Sequence, residues 1–573
     1  MSTIQPRDVQ MSVIGAETRV LRSRTWTRLR FEIEYALKKG STANSYLIQS
    51  DRIALLDPPG ECFRETFIEA LRSRVDPKAI DYVILSRINA NRAGTLKVLL
   101  DFAPQVTFIC SQPGAVSLQK LIGDRPLNIR TVADRDILEL GQGHRLQFIL
   151  APSPRWPDCL CTYDPQTKIL YTDKHFGAHV CGDQVFDESW TGYVEDRRYY
   201  FDCLMAPHAD RVESILRKFA RYPAKMYAPS HGPLVKYGLT GLTKLYRKWL
   251  DQQKQKANAV ALIYASAYGN TATVAQAIAR GITKAGVAVN SINCEAAAPE
   301  EIKAAVEKSS GFIMGSPTLG GHAPTQVQSA MGIVLSTADK NQLAGVFGSF
   351  GWSGEAIDLL AGKFRDAGYR FGFEPIRVKF KPTDSILQYC EEAGTDFAQL
   401  VKQEETKRKS HASGFESEAA RTEQAMGRIV GSLCVVAAQK DDVSRAMLAS
   451  WVTQASFDPP GLTIAVAKER AIENLMQVGD RFVLNILPDG HPLQAEFMRD
   501  YAPGEDRFEG IETEESDNGG LILKEALAYL ECSITRRMEC SDHWLIYAVT
   551  DMGKVLDEKG KTAVHYRETG SFY

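Results

Sequence analysis

Short polar side chains and one glycine lie between two patterned segments, in an arrangement that could hold a phosphate group. Val260–Tyr264 predicts a buried strand, and Ala272–Ala285 predicts a helix. Backbone N–H groups at a helix start, on a loop of small residues, bind phosphate at the positive end of the helix dipole. A hydroxyl-capped turn is the alternative for this loop alone, and no Gly-Lys-Ser/Thr follows to make it a P-loop. The candidate residues are Ser266, Ala267, Tyr268, Gly269, Asn270 and Thr271.

Two further glycine-containing loops follow predicted strands in the same part of the chain, after Gly311–Gly315 and after Gly345–Gly348. Strand and helix patterns alternate over 256–401, which predicts a doubly wound α/β domain with a parallel sheet. Ligands of such sheets bind at the carboxyl ends of the strands, so the three loops are expected to meet. The further candidates are Ser316, Pro317, Thr318, Leu319, Gly320 and Gly321, then Ser349, Phe350, Gly351, Trp352 and Gly354.

With these three loops, residues 256–401 resemble flavodoxin. The resemblance implies that the 266–271 loop holds the phosphate of FMN. It also implies that Thr318–Gly321 and the Gly351–Trp352 pair enclose the isoalloxazine ring. Trp352 is a stacking candidate, and the alternative is a core aromatic residue.

The sequence from 425 to 573 is rich in strand patterns, which predicts an antiparallel barrel. Its segments Met447–Trp451, Gln454–Ser456, Phe482–Ile486 and Cys540–Trp544 resemble the flavin reductase barrels. These split barrels bind FMN or FAD and accept hydride from a nicotinamide. No Gly-x-Gly-x-x-Gly motif is present, so NAD(P)H would dock on the flavin rather than in a fold of its own.

The resemblance to flavin reductases implies a role for five residues. Ser450, Trp451, Ser456 and Asn485 would contact flavin, and His543 would lie near the reaction face as a weak catalytic candidate. The alternatives are a strand-end cap for Asn485 and a structural role for His543. Ser541 stands where the family commonly has glycine, which is a mild departure from its pattern.

Taken with the first 250 residues, the order of domains resembles the three-domain flavodiiron proteins of cyanobacteria and other oxygenic phototrophs. The resemblance implies a metallo-β-lactamase-like αββα domain at 20–255, a flavodoxin-like domain at 256–401 and a flavin reductase-like split β-barrel at 425–573. Family members are cytosolic and reduce dioxygen to water, or nitric oxide in some branches. Electrons pass from NAD(P)H or a donor such as ferredoxin through flavin to two irons. The working unit is a head-to-tail dimer.

The iron-binding positions of that family carry unexpected residues in this sequence. The family motif is His-x-Glu-x-Asp-His, followed later by single His, Asp and His ligands. Arginine stays protonated and has no lone pair to offer, so it cannot ligate iron. At best two of six ligands survive, and a diiron centre is not expected. The degenerate positions are Arg87, Asn89, Asn91, Arg92, Arg155, Asp173 and His231.

A different content is predicted for this pocket. We expect Arg87, Arg92 or Arg155 to pair with Asp173, with or without a bound anion or waters. A replacement metal site is not favoured, because no third ligand converges on the pair His175 and His179. His208 is a further isolated histidine.

Charge and composition exclude several classes of protein. The 573 residues include 68 Lys and Arg against 70 Asp and Glu, a balance that argues against a general nucleic-acid binder. No apolar run approaches the ~20 residues that cross a bilayer, and no signal peptide is recognisable. The eleven cysteines form no Cys-x-x-Cys pair, which favours reduced thiols. We therefore expect a cytoplasmic protein. Residues 402–424 are dense in charge and predict a linker.

These features lead to one principal functional hypothesis. The chain is expected to be a flavin-carrying subunit of an NAD(P)H:oxygen oxidoreductase that serves as an electron sink for photosynthetic electron transport. It would work with a ligand-complete paralogue. The alternatives are a stand-alone NAD(P)H:flavin or acceptor reductase and a non-catalytic regulatory subunit. The sequence leaves open NADH, NADPH or ferredoxin as donor, FMN or FAD in the last domain, and homodimer or heterodimer.

Overall fold

The computed structural model describes residues 7–26, 39–123, 125–256, 258–412, 422, 424–440, 443–468, 470, 472, 475–498 and 507–567. The chain forms two compact units. The first is Met1–Tyr264 with Ala288–Ala305, and the second is Ala265–Val287 with Val306–Tyr573. Within the described residues, no helix is long and apolar enough to span a membrane.

Two sheets form the centre of the first unit. A seven-stranded sheet has the order β1 to β7: Asp8–Gly15, Thr18–Thr25, Ser41–Gln49, Ile53–Leu56, Ile80–Ile84, Thr107–Cys110 and Asn128–Thr131. A five-stranded sheet has the order β12-β11-β10-β9-β8, where β8 to β12 are Ile137–Gly141, His144–Leu150, Leu160–Asp164, Ile169–Asp173 and Met226–Pro229. Buried side chains of both sheets, among them Tyr46, Ile84, Phe148 and Tyr171, pack in one core.

Helices cover both outer faces of this sandwich. The helices α1 to α6 are Arg64–Arg72, Ala90–Phe102, Gln112–Ile122, Val194–Leu204, Ala209–Phe219 and Leu239–Lys254. Helices α1 to α3 pack on the first sheet through one apolar core. Helices α4 to α6 pack on the second sheet through another. The predicted αββα architecture is therefore confirmed. The predicted start at residue 20 is too late, because β1 already pairs with β2 from Asp8. Its sequence DVQMSVIG alternates polar and apolar residues over Asp8–Val13, which is a strand pattern that the predicted boundary left out.

Parallel strands alternate with helices in the next block. The strands β13 to β17 are Ala259–Tyr264, Ala288–Asn293, Gly311–Pro317, Leu343–Phe350 and Ile376–Lys379. Strand β13 pairs in parallel with β14, and β15, β16 and β17 form a parallel ladder. The helices α7 to α11 are Asn270–Lys284, Pro299–Glu307, Thr325–Thr337, Glu355–Asp366 and Asp384–Ala412. The predicted doubly wound α/β pattern is confirmed.

The long helix α11 corrects one prediction. Residues 402–412 were predicted to be part of an unstructured linker, but they continue α11. The helix is fixed by buried residues earlier in its sequence, such as Phe397 and Val401. Propagation beyond an anchored turn then needs only helix-forming residues, which Glu, Lys and Gln are. Most of the remaining predicted linker, 413–421 and 423, lies outside the described residues.

The last block is antiparallel, as predicted. Its strands β18 to β28 are Gly431–Ser432, Cys434–Lys440, Val443–Ala449, Val452–Phe457, Pro460–Ala467, Arg481–Ile486, Thr513–Glu515, Leu521–Leu523, Ala528–Cys540, His543–Val555 and Val564–His565; α12 is Pro492–Met498. Seven of them form a sheet in the order β20-β19-β23-β26-β27-β22-β21. Alternate residues of these strands, such as Val436, Ile464 and Ile546, share one core, which is the packing of a curled barrel.

Candidate functional site: a cationic pocket and two flavin sites

Asp173 lies at the end of β11, fully buried, with a cation beside it. Arg87 Nε lies 3.4 Å from Asp173 Oδ2, and Ser230 Oγ donates to Asp173 Oδ1 at 2.7 Å. Burial by itself would raise the pKa of Asp173, but the charges of Arg87, Lys174 and Arg92 outweigh it and hold the pKa below its ordinary value. The predicted pairing of an arginine with Asp173 is therefore present, and the partner is Arg87.

His231 is held between a backbone carbonyl and a buried lysine. Its Nδ1 lies 2.6 Å from the Thr42 carbonyl oxygen, and its Nε2 lies 2.6 Å from Lys174 Nζ. A carbonyl oxygen only accepts, so Nδ1 carries the ring proton and Nε2 accepts from the ammonium group of Lys174. The lone pair of His231 Nε2, which a metal would need, is thus taken by Lys174.

The remaining residues of the 87–92 segment have partners near the same pocket. Arg92 Nη1 binds Asp57 Oδ1 at 2.6 Å and the Arg87 carbonyl at 2.8 Å. Asn89 caps α2 by accepting from Arg92 N at 2.9 Å, and Asn91 Oδ1 accepts from Glu61 N at 3.2 Å. Both amide side chains therefore support local backbone.

Arg155 contributes to the packing of Trp156. The guanidinium groups of Arg87 and Arg155 lie 5.2 and 4.9 Å from the Trp156 ring centroid. Arg155 Nη1 also donates to the Cys203 carbonyl at 3.3 Å. Burial, together with the charge of Arg155, lowers the pKa of His208 to about 3. His208 is therefore neutral at physiological pH.

The loop at the start of α7 has the geometry that the sequence predicts. Gly269, at φ 85°, turns the chain into the helix. Ser266 Oγ accepts from Ala272 N at 3.0 Å, and the hydroxyl groups of Thr271 and Ser349 lie 2.8 Å apart. The first and third predicted loops therefore meet, as expected for loops that serve one ligand.

The other predicted loop residues leave an open surface beside this turn. The left-handed Gly320 and Gly321 have no atom within 4 Å of an added Cβ, and Thr318 N donates to the Ser349 carbonyl at 2.9 Å. The Thr318 hydroxyl is buried without a hydrogen-bond partner among the described residues. Trp352 is 93% exposed, with its ring 6.3 Å from that of Phe380. A core position for Trp352 is excluded.

In the last block, the rings of Trp451 and His543 are in contact, with centroids 4.9 Å apart and planes tilted by 32°. His543 Nδ1 lies 2.9 Å from Asp542 Oδ1. Ser450, which precedes Trp451 in the sequence, is buried. Ser456 lies elsewhere on the sheet and hydrogen-bonds Tyr547 at 2.8 Å. The structure thus brings Trp451 and His543 together.

Asn485 corrects the predicted flavin contacts. Its side chain is completely buried, donates to the Leu521 carbonyl at 3.1 Å and accepts from Leu523 N at 2.9 Å. These bonds hold β25 against β23, so the strand-supporting alternative is the right one for Asn485.

A cleft of about 510 Å³ in the same sheet brings the predicted Ser456 together with Arg536, Arg537 and Tyr547, which the sequence did not indicate. Ser456 and Tyr547 supply hydroxyl groups, and Arg536 and Arg537 supply cations, to its lining. Arginine and hydroxyl donors suit a phosphate group. Arg536 and Arg537 are adjacent in the strand-rich block, and this adjacency is the signal that could have identified them.

Three protein-family models match successive parts of the chain. The ODP family beta lactamase matches residues 41–232, flavodoxin matches 262–394, and the flavin reductase like domain matches 426–571. Diflavin flavoprotein A 6 of Nostoc sp. (strain PCC 7120 / SAG 25.82 / UTEX 2576) is 62% identical over 575 residues, which cover 100% of both chains. Diflavin flavoprotein A 3 of Synechocystis sp. (strain ATCC 27184 / PCC 6803 / Kazusa) is also 62% identical, over 100% of this chain and 96% of that protein.

One solved structure covers the first two domains. The metal-soaked Flv1 flavodiiron core from Synechocystis sp. PCC6803 is 64% identical, with a TM-score of 0.67 over 70% of this chain and 100% of that one. This chain belongs to the three-domain flavodiiron family. It is therefore an oxidoreductase with two flavin-type domains.

The flavodiiron family implies a pair of irons, and the residues of this pocket do not fit one. Asp173 pairs with Arg87, and His231 accepts from Lys174. Two like charges 4 Å apart repel by about 4 kcal/mol at an effective dielectric of 20, and three buried cations lie in this region. Among the residues that the structure describes, no group of three or more His, Cys, Asp or Glu side chains is placed to hold a metal ion. His175 instead packs on Phe219, and His179 hydrogen-bonds Ser41.

Flavin does fit the flavodoxin-like domain of this flavodiiron protein. The start of α7 offers backbone N–H groups for a phosphate, and the orphaned Thr318 hydroxyl offers a polar contact. Exposed Trp352 offers an aromatic face.

Proposed function

We propose that this chain is a flavin-carrying subunit of an NAD(P)H:oxygen oxidoreductase, working with a flavodiiron relative that has a complete set of iron ligands. In this proposal FMN occupies the flavodoxin-like domain, and FMN or FAD occupies the reductase-like domain. The enzyme reduces dioxygen to water in the cytoplasm, as an electron sink for photosynthetic electron transport. The observation that carries the proposal is the engagement of Asp173 and His231 by Arg87 and Lys174.

The chain's own residues then have binding and positioning roles. The turn at Gly269 and the paired hydroxyls of Thr271 and Ser349 hold the phosphate end of FMN. Trp352 covers the ring and excludes water from one of its faces. Trp451 and His543 border the second flavin, and Asp542 orients the imidazole ring. A bound flavin would accept two electrons at once and release them one at a time.

The partner supplies what the cationic pocket does not. In a head-to-tail heterodimer, the FMN of this chain would face the irons of the partner. The FMN of the partner would face the pocket of Arg87, Arg92 and Lys174. One productive pairing of flavin and irons per dimer follows from this arrangement.

A mixing experiment tests the proposal. NAD(P)H oxidation and dioxygen consumption are measured for this chain, for a ligand-complete flavodiiron relative from the same organism, and for the two together. We expect this chain alone to reduce an artificial acceptor such as ferricyanide, with dioxygen consumption no faster than that of free reduced flavin. The mixture should consume dioxygen faster than the sum of the two separate rates.

A matched variant links the gain to the flavin of this chain. Thr271→Val keeps the side-chain shape and removes the hydroxyl bonded to Ser349, so retained FMN and the gain in the mixture should fall together. Rapid dioxygen reduction by this chain alone would refute the need for a partner. Substoichiometric FMN without NAD(P)H oxidation would indicate a regulatory subunit. Acceptor reduction unaffected by any partner would indicate a stand-alone reductase.

A further inference from the structure

Helix α11 is locked onto α7, the helix that begins at the candidate phosphate loop. An added Cβ at Gly281 would overlap the Glu391 carbonyl oxygen, and one at Gly394 would overlap the Ile278 carbonyl oxygen. The two helices therefore touch backbone to backbone. Glu391 is buried and pairs with Arg280 and, at 2.8 Å, with Lys284 Nζ. Burial would raise the pKa of Glu391, but both cations outweigh it and hold the pKa below its ordinary value.

The side of α11 next to this contact carries a polar stripe of other residues. We define the α11 stripe as Gln388, Glu392, Asp396, Gln399 and Lys402. Successive members are four, four, three and three residues apart, so all five project from one face of the helix. Residues between them, such as Phe397, are buried in the flavodoxin-like domain. The stripe is therefore a distinct face directed away from that core.

Two arginines of the reductase-like domain contact this stripe. Arg470 Nη1 lies 3.3 Å from Asp396 Oδ1 and 3.7 Å from Glu392 Oε2, and its Nη2 donates to Gln399 Oε1 at 3.4 Å. Arg445, on β20, hydrogen-bonds the Gln388 side chain. In these contacts α11 supplies the acceptors and the reductase-like domain supplies the cations, over about three turns of helix from Gln388 to Gln399.

The end of the stripe acts on the candidate reaction face of the reductase-like domain. Burial raises the pKa of Asp542, but His543 and then Lys402 lower it below its ordinary value. Asp542 is the residue that orients His543 beside Trp451. Lys402, the last member of the stripe, is therefore near enough to Asp542 to act on its charge, and Asp542 contacts His543.

We propose that the α11 stripe is the docking surface of the reductase-like domain, and that Arg470 and Arg445 hold that domain on it as a charge-based latch. Helix α11 then joins the two candidate flavin sites, because its adjacent side is fixed to the helix that begins at the phosphate loop. The latch is made of partly exposed ion pairs, which are individually weak and screened by salt. Docking is therefore reversible, and it loosens as ionic strength rises.

Small-angle scattering of the full chain tests the latch. The radius of gyration is measured at 0.1 M and 1 M salt, where the screening length falls from about 10 Å to about 3 Å. We expect it to increase at high salt while size-exclusion chromatography shows an unchanged oligomeric state. Arg470→Glu should produce the increase already at 0.1 M salt. Arg481→Glu, the same change at an exposed position at the start of β23, should not.

A charge swap separates lost docking from misfolding. Arg470→Glu combined with Asp396→Arg restores an opposite-charge pair, and we expect it to return the radius of gyration at 0.1 M salt toward that of the unmodified chain. A radius unchanged in Arg470→Glu, or an increase that the swap does not reverse, would overturn the proposal. An equal increase in Arg481→Glu would show a general charge effect and would also overturn it.

Discussion

At the scale of single residues, two buried aspartates of the first domain combine a left-handed backbone conformation with an ion pair to an arginine. Asp57 and Asp173 lie in the left-handed region, at φ 53° and 46°, which few residues other than glycine and asparagine or aspartate adopt. Each carboxylate binds one arginine, Asp57 with Arg92 and Asp173 with Arg87. Strain of this kind persists where the surroundings fix the residue. The ion pairs provide that constraint here.

Asp173→Asn should destabilise the first domain strongly. The change keeps the shape but leaves Arg87 and Lys174 buried beside a neutral side chain. Breaking one side of a buried pair costs about 3–5 kcal/mol, and urea unfolding measures this loss. Asp183→Asn is the matched control, because Asp183 is 91% exposed in its pair with Arg24 and should cost below about 1 kcal/mol. Equal losses in the two variants would contradict the assignment.

The stability difference between the unmodified chain and Asp173→Asn should depend on pH. The pKa of Asp173 is lowered in the folded state, so its charge stabilises the fold above the unfolded pKa of about 3.9. This contribution is lost as pH falls through the folded pKa. The difference in unfolding free energy should be constant from about pH 5 to 8 and shrink below about pH 4. A difference that grows on acidification would show that Asp173 is protonated in the fold.

Trp352→Ala should weaken FMN binding without affecting stability. The side chain is almost fully exposed, so its loss should change the unfolding free energy by less than about 0.5 kcal/mol. An aromatic stacking pair contributes about 0.5–1.5 kcal/mol, and FMN affinity, measured by fluorescence titration of the flavin-depleted chain, should fall about two- to tenfold. Tyr237→Ala, an exposed aromatic of the first domain, should leave FMN affinity unchanged. Unaltered affinity in Trp352→Ala would remove the residue from the flavin site.

At the scale of elements, the contact with α11 fixes α7, the helix that begins at the candidate phosphate loop. Helix α7 begins at Gly269 and packs on α11 through Gly281 and Gly394. Two small residues on facing helices allow close approach of the backbones. The Arg280–Glu391 pair satisfies the buried charge between them.

Gly281→Ala and Gly362→Ala should change stability in opposite directions. A methyl group at Gly281 meets backbone of α11, and overpacking costs about 1–3 kcal/mol. Gly362, in α10, has no atom within 4 Å of an added Cβ, so alanine there should stabilise by about 0.5–1 kcal/mol through helix propensity. Thermal unfolding measures both. A neutral Gly281→Ala would contradict the close packing of α7 and α11.

At the scale of the whole molecule, the order of three domains could be predicted from local patterns. The predicted strand Val260–Tyr264 lies within β13, Ala259–Tyr264, because apolar patterning and flanking turns act within a few residues. The Arg87–Asp173 pair was also foreseeable, since a buried carboxylate near arginines requires a counter-charge. Lys174 was not, because a lysine after a strand is ordinarily exposed, and its burial against His231 is set by tertiary packing. The prediction that Asn485 contacts flavin was wrong for a similar reason, because its hydrogen bonds to β25 are set by tertiary structure.

The metal and flavin content of the purified full chain, produced in iron-supplemented medium, tests the central claim most directly. Elemental analysis gives iron per chain, and visible spectroscopy after release gives flavin per chain. We predict about two flavins, from the flavodoxin-like and reductase-like domains, and no stoichiometric iron, because Arg87 and Lys174 occupy the remaining donors. Two irons per chain would contradict the account, and the protein would then be a self-sufficient oxygen reductase.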